Sequence, residues 1–416
     1  MLAILVPLAA AASVLFDGAC GYRSGVPSPA GQWRAVLESP GGELPFGLRI
    51  EERDAGKLIA VAVNGDEVLP FETARIDGDR IALRFDHYDS EISATISGDG
   101  ARMSGTWVKQ AGADRPSMKF EATRGPAPRF AEGAPAGIPA EIEGAWDAVF
   151  TDSDGDSPAR GEFRLDGGRL LGTFLTPTGD YRFLEGDFSG GLLRLSCFDG
   201  GHAFLFKARM NDDATLSGDF WSRGSYHATW KAKRADPAAA GSSNLPDPFA
   251  VTRLKNPSGQ LRFSFPDVTG QPVSLSDARF AGKVVLVDIF GSWCPNCNDQ
   301  APVLMDLYRT YHDRGLEMVG LAYEMTGDRS RDGVFVRKYA ERYGIPYPLL
   351  LAGTSDKAEA SLTLPDLSGV LAFPTLIFIG RDGKVVAIHT GFEGPGTGRH
   401  FDELRVRYVH LIDSLI

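Results

Sequence analysis

The sequence predicts a multidomain protein: two all-β antiparallel units, read as small eight-stranded barrels, followed by an α/β domain. Three observations predict it. Short runs of alternating apolar and polar residues fill the first half of the chain. Landmarks in those runs recur at one fixed offset. Beyond residue 250 a nearly continuous apolar strand, a cysteine pair and helical periodicity take over. The 416 residues accommodate about three ordinary domains.

Charge and composition remove several function classes. Lys and Arg number 43 against 54 Asp and Glu, for a net charge of -11, and no basic stripe offsets it. A nucleic-acid backbone is therefore excluded as the main partner. No internal segment reaches the roughly 18 apolar residues of a membrane helix, which excludes a polytopic membrane protein. The four cysteines, Cys20, Cys197, Cys294 and Cys297, are too few for a disulfide-stapled scaffold.

The chain opens on MLAILVPLAAAASVLF, an apolar stretch that suits the core of an export signal, with residues 1–19 as the signal-like segment. Gly18-Ala19-Cys20 resembles the end of a bacterial lipoprotein signal. That resemblance implies a periplasmic or cell-envelope location, with Cys20 as the candidate site of a lipid anchor. Export would place the cysteine pair where disulfides persist.

Residues 30–124 and 142–234 are read as two copies of one β unit. Gly31-Gln32-Trp33 and Gly144-Ala145-Trp146 lie 113 apart; Phe85-Asp86 and Phe198-Asp199, and Ser104-Gly105 and Ser217-Gly218, keep the same offset. Runs such as RIALRFD (80–86) and LLRLSCF (192–198), separated by Gly and Asp turns, read as antiparallel meanders. Eight such strands can close a barrel without exposed edges. The Gly-x-Trp at each start resembles the first-strand signature of lipocalin-like barrels. Trp33, Trp107, Trp146, Trp221 and Trp230 read as barrel packing, and Cys197 as a lone core thiol. The acids Asp152, Asp154 and Asp156 suggest a calcium loop, but Ser157 and Phe163 stand where its glycine and last carboxylate belong, so the cluster reads as a hairpin turn. Residues 235–254 form a polar, proline-bearing linker.

The C-terminal unit, 255–416, starts from Lys283 to Phe290, an apolar strand of the kind covered on both faces. Helices are expected over 302–314, 331–343 and 400–416, and strands over 316–323 and 376–379, the last turning into 385–388. Between the first strand and its helix stands Trp293-Cys294-Pro295-Asn296-Cys297. A cysteine at a helix start faces unpaired N–H groups that favour its thiolate, so Cys294 reads as an exposed nucleophile. Cys297, one turn in, reads as the buried resolving thiol. A zinc site would need two further ligands at matching spacing, and no second CxxC or i, i+4 histidine pair exists. No cofactor is expected.

Val287-Asp288 through Cys297, then Pro302, the segment Gly369 to Leu376 with its Phe373-Pro374-Thr375, and Gly391 come in an order that resembles the thioredoxin fold. The resemblance is greatest to the exported TlpA/ResA-like thiol–disulfide oxidoreductases. It implies a cis-proline at Pro374 and a substrate groove formed by Trp293, Pro295, Asn296, Phe373 and Thr375. It further implies a reductase acting on protein or small-molecule thiols and disulfides, fed by a membrane electron donor. Residues 325–365 would form the family's central insertion. Gln300 stands where family reductases often carry glutamate, so that position is not a proton carrier. Asp288 matches thioredoxin's buried aspartate, either as proton acceptor for Cys297 or as a structural acid. A peroxiredoxin needs Ser or Thr three before its cysteine, where this chain has Gly291. The competing reading is a binding or scaffold protein whose barrels capture a ligand or client, with an auxiliary CxxC.

Overall fold

The computed structural model describes residues 27–53, 56–110, 115–130, 140–236, 245–255 and 258–416. The signal-like segment 1–19 and Cys20 lie outside the described residues. Two nine-stranded antiparallel sheets precede a five-stranded mixed sheet flanked by helices. No helix among the described residues is long and apolar enough to cross a membrane.

The second β sheet closes. Its opening strand, Gly144–Asp152, pairs with the last, Tyr226–Arg234, and the ring is completed where Arg169–Thr176 pairs with both Gly155–Asp166 and Leu184–Ser189. Eight strands form the ring, and the short Gly179–Asp180 strand hangs on Arg169–Thr176 as a ninth. The barrel is filled by aromatic rings. Phe206 stacks on Phe220 at 4.2 Å and on Phe174 at 5.0 Å, with Trp146 and Trp230 buried beside them. Cys197 is wholly buried, and burial pushes its thiol up. A filled interior supports packing, not ligand capture, for these rings. Asp152 faces Gly155 across a tight hairpin, and the Asp154 N–H donates to Asp152 Oδ1 at 2.8 Å.

The first sheet departs from the expected eight-stranded barrel. It runs from Glu67–Pro70 at one edge to Thr73–Asp77 at the other and no ladder joins the two ends. Beside that opening the Phe71 N–H donates to the Ala60 carbonyl at 2.9 Å. The neighbouring barrel supplies the physical reason. Phe198 and Leu205 of the second sheet are part of the first sheet's core, Phe198 lying 4.6 Å from Phe46 and 5.5 Å from Trp107. The Asn64 amide clamps Phe198 on both sides, donating to its carbonyl at 2.8 Å and accepting from its N–H at 3.0 Å. An open sheet buries its apolar face against this neighbour instead of against itself.

Each Gly-x-Trp has the same local role. The indole N–H donates four residues back, Trp33 to Pro29 and Trp146 to Ile142. An arginine from the last strand of each sheet covers the ring, Arg124 over Trp33 and Arg234 over Trp146. Gly31 and Gly144 have φ of 143° and 109°, and a side chain on either would meet that arginine.

In the C-terminal unit the sheet order is Leu349–Thr354, Leu316–Glu324, Val284–Phe290, Thr375–Ile379, Val385–Thr390. The first three strands are parallel; the last two form the antiparallel hairpin. All seven residues of Val284–Phe290 are buried, as a central strand covered by helices requires. The first helix begins at Pro295, earlier than the apolar periodicity places it, because Cys294 caps it and proline is favoured at its first position. Residues 325–365 contain the helix Arg329–Tyr343, the strand Leu349–Thr354 and the helix Lys357–Thr363.

Phe198 of the second sheet completes the core of the first. Phe198→Ala is expected to lower the stability of the β half by about 3–5 kcal/mol, read as a fall in its urea midpoint. An unchanged midpoint would remove Phe198 from that role.

Candidate active site

The cysteine pair lies where the central strand ends and its helix begins. Cys294 is the N-cap of Pro295–Tyr311, and its Sγ accepts the Cys297 N–H at 3.3 Å. The same sulfur donates to the Phe373 carbonyl at 3.4 Å, and the Phe373–Pro374 bond is cis. Both cysteines are free thiols. The turn that carries them is held by side chains. Asn298 donates to the carbonyls of Ser292 and Cys294, and the Tyr339 hydroxyl donates to the Cys297 carbonyl at 3.0 Å. Glu324 accepts from both the N–H and the hydroxyl of Ser292, and burial raises its carboxyl to about 7.

Cys294 is not the exposed thiol that its position suggests: it is 5% exposed, against 1% for Cys297. The cover comes from the second β sheet. A side chain on Gly179 would meet Asn296 Nδ2 at 2.4 Å, and one on Gly201 would meet Pro295 Cγ at 2.9 Å. Thr178 and Gly179 touch the Gly391 backbone, and the Gly394 N–H donates to Asp180 Oδ2 at 2.6 Å. Between these surfaces remains a cleft of about 220 Å³. Trp293, Pro295, Asn296 and Phe373 line it with Cys294. Thr375 does not; its buried hydroxyl donates to the Ala372 carbonyl at 2.9 Å and secures the loop from behind. Trp293 is fixed by its indole N–H on the Tyr323 carbonyl and meets Phe373 edge to face.

Asp288 is buried on the central strand, and burial pushes its carboxyl up to about 7. Its charge acts on Cys297, whose thiol is itself raised by burial and by its bond to Cys294. Gln300, one turn beyond Cys297, donates its amide to Asp288 Oδ1 at 2.9 Å. It cannot carry a proton, but it orients the group that can. Sequence reasoning missed this pairing, as it missed Lys357 and His202 at the cleft. Neither falls in a motif.

A buried arginine ties the cover down. Arg182 reaches Glu67 of the first sheet, Asp199 of the second at 3.0 Å, and Asp299 of the cysteine helix. Burial raises Glu67 to about 7 and Asp299 to about 6. Burial also opposes the charge on Asp199, but His202 and Arg182 outweigh it and hold that carboxyl well below its usual range.

A dithiol capping the helix that follows a central strand, opposite a cis-proline loop, defines the C-terminal unit as a thioredoxin-like α/β domain. The comparisons with known proteins fall on this domain. The Redoxin family model matches residues 255–404. The thiol-disulfide oxidoreductase ResA of Halalkalibacterium halodurans is 26% identical over 131 residues, covering 32% of this chain and 66% of that protein. The ResA of Geobacillus thermodenitrificans is 30% identical over 129 residues, covering 31% and 66%. A solved thiol:disulfide interchange protein of the thioredoxin family from Chlorobium tepidum is 23% identical, over 38% of this chain and 97% of its own, with a TM-score of 0.30. The chain thus spans just under two thirds of the curated relatives it matches, 66% in both cases.

The raised carboxyl of Asp288 has a thermodynamic consequence. The folded state keeps a proton up to about pH 7 that the unfolded chain releases near its ordinary value of 3.8. Stability therefore falls as pH rises between these values, by up to about 4 kcal/mol. Asp288→Asn is expected to unfold at a higher urea midpoint than wild type at pH 8, with the gap closing near pH 4. A gap independent of pH would contradict the assigned protonation.

Proposed function

We propose that the chain is an extracytoplasmic thiol–disulfide oxidoreductase acting as a reductase. The observation that carries this reading is the Cys294 sulfur, held at the helix N-cap by the Cys297 N–H and set 3.4 Å from the carbonyl that precedes Pro374. The attacking species is the Cys294 thiolate. That thiolate attacks one sulfur of a substrate disulfide, forming a mixed disulfide and releasing the first thiolate. Cys297 then passes its proton to Asp288 and attacks the Cys294 sulfur. The second substrate thiolate leaves, and the enzyme closes the Cys294–Cys297 disulfide. Two electrons have moved from enzyme to substrate. A membrane electron donor returns them.

Asp288 suits the proton step because a carboxyl with a pKa of about 7 exchanges protons at working pH. Pro374 and Phe373 shape the wall against which the substrate sulfur lies. The domains are 30–124, 142–234 and 255–416, the first two being copies of one module that share the Gly-x-Trp lock. The apolar segment 1–19 supports export to the cell envelope, and this reading makes Cys20 the site of a lipid anchor. The substrates are thiols and disulfides of proteins or small molecules.

Reduced protein mixed with glutathione disulfide is expected to lose its two active-site thiols and yield reduced glutathione, and Cys294→Ala to abolish this. Wild type exchanging no faster than Cys294→Ala would overturn the reading. With Cys294 loaded as a mixed disulfide, release of the second thiol is expected to accelerate as pH rises through about 7, because the base must be ionised to accept the proton. Asp288→Asn is expected to flatten that step. A profile unaltered in Asp288→Asn would return Asp288 to a structural role.

A further inference from the structure

We propose that the cleft over Cys294 is a composite binding site, built jointly by the cysteine helix and the rim of the second β sheet, that takes a small disulfide carrying carboxylate groups in preference to an extended segment of a protein. The proposal rests on the redox reading above and names the substrate class of that site.

The size of the cleft supports the first half. Its 220 Å³ equals roughly seven water volumes and falls below the roughly 300–1,000 Å³ of pockets for drug-sized ligands. Adding a strand beside the cis-proline loop would require a free run of backbone. Phe373 is 8% exposed, and the rim backbone lies directly on Pro295, Asn296 and Gly391. Glycines at 179 and 201 permit that approach; a side chain at either position would hold the two surfaces apart. What still fits between Phe204 and His202 on one wall and Trp293 and Phe373 on the other is a molecule of a few heavy atoms on each side of its S–S bond.

Charge supports the second half. Lys357 lines the cleft and makes no ion pair among the described residues. Burial works against the charge on Lys357, and the neighbouring Cys294 sulfur works for it. Lys109 of the first sheet stands behind the rim with its Nζ donating to the Gly201 carbonyl at 3.4 Å, and burial pulls its pKa down to about 8. The neighbouring acids are engaged elsewhere. Asp180 accepts from Gly394 and Arg182, and Asp199 from Gly201 and His202. A chain of net charge -11 thus presents an unpaired cation beside its reactive sulfur. A carboxylate on the substrate would pair with Lys357 once its sulfur reached Cys294.

The reaction needs no further reactant in a single turnover. The enzyme dithiol and one disulfide give the enzyme disulfide and two thiols: the Cys294 proton goes to solvent, the Cys297 proton goes to Asp288 and on to solvent, and each leaving thiolate takes a proton from solvent. The test uses the full chain, reduced and freed of reductant, and three small symmetrical disulfides of similar size. These are the dianion 3,3′-dithiodipropionate, neutral bis(2-hydroxyethyl) disulfide and the dication cystamine. Insulin serves as the protein substrate. Each oxidation rate is divided by the rate of the same disulfide with dithiothreitol, which removes intrinsic reactivity. The dianion is expected to exceed the dication by roughly tenfold at low salt, with insulin slower than all three. Lys357→Glu, at an exposed position, is expected to reverse the charge order. Equal normalised rates for the three small disulfides, an unchanged order in Lys357→Glu, or faster reaction with insulin would overturn the inference while leaving the redox function standing. No reaction with any of the four would overturn both.

Discussion

Arg182 stands where the two nine-stranded sheets meet the cysteine helix. Its guanidinium is buried, and its three carboxylate partners come from three different parts of the chain. A buried charge is costly unless it is paired and hydrogen-bonded, so this site tolerates little rearrangement. Arg182 also holds a φ of 58°, a conformation that non-glycine residues rarely adopt. The surrounding contacts must therefore impose it. Because one partner, Asp299, sits on the cysteine helix two residues after Cys297, the cation fixes the rim of the second sheet over the dithiol. The cover, the narrow cleft and the low exposure of Cys294 all depend on that junction.

The active site then joins two kinds of constraint. Within the C-terminal domain, backbone geometry does most of the work: a helix N-cap, a tight turn and a cis-proline loop bring two sulfurs and a carbonyl together. Behind them, an apolar core raises Asp288 toward neutrality, with only the Gln300 amide opposing. That core gives up stability at neutral pH in exchange for a carboxyl that can accept a proton. Across the junction, the second sheet adds walls and charges that no isolated domain would possess.

The parts legible in the sequence are those encoded locally. The cysteine pair, the proline of the cis bond, the terminal hairpin and the Gly-x-Trp starts each occupy a short window, and each occurs where expected. The strand offset extended this to both β units. The helix start was missed by periodicity because its first turn is set by a cap and a proline, not by an apolar stripe. The open first sheet was not legible because Phe198, which completes its core, belongs to the other unit. The cover over Cys294 was hidden for a related reason. It rests on Gly179 and Gly201, which contribute backbone and no side-chain signal, more than ninety residues from the cysteines. Thr375 was placed in the groove by its neighbours, whereas its hydroxyl turns back to Ala372.

The most direct test of this account is a comparison of two thiol reagents on the reduced full chain, with labelled sites mapped by peptide analysis. The reagents are iodoacetamide and a polymer-bearing maleimide, each scaled to its rate on the urea-unfolded chain. The account predicts that iodoacetamide labels Cys294 ahead of Cys297, while the bulky reagent is excluded from both until the chain unfolds. Scaled labelling of Cys294 by the polymer reagent as fast as by iodoacetamide would contradict a dithiol covered by the second β sheet.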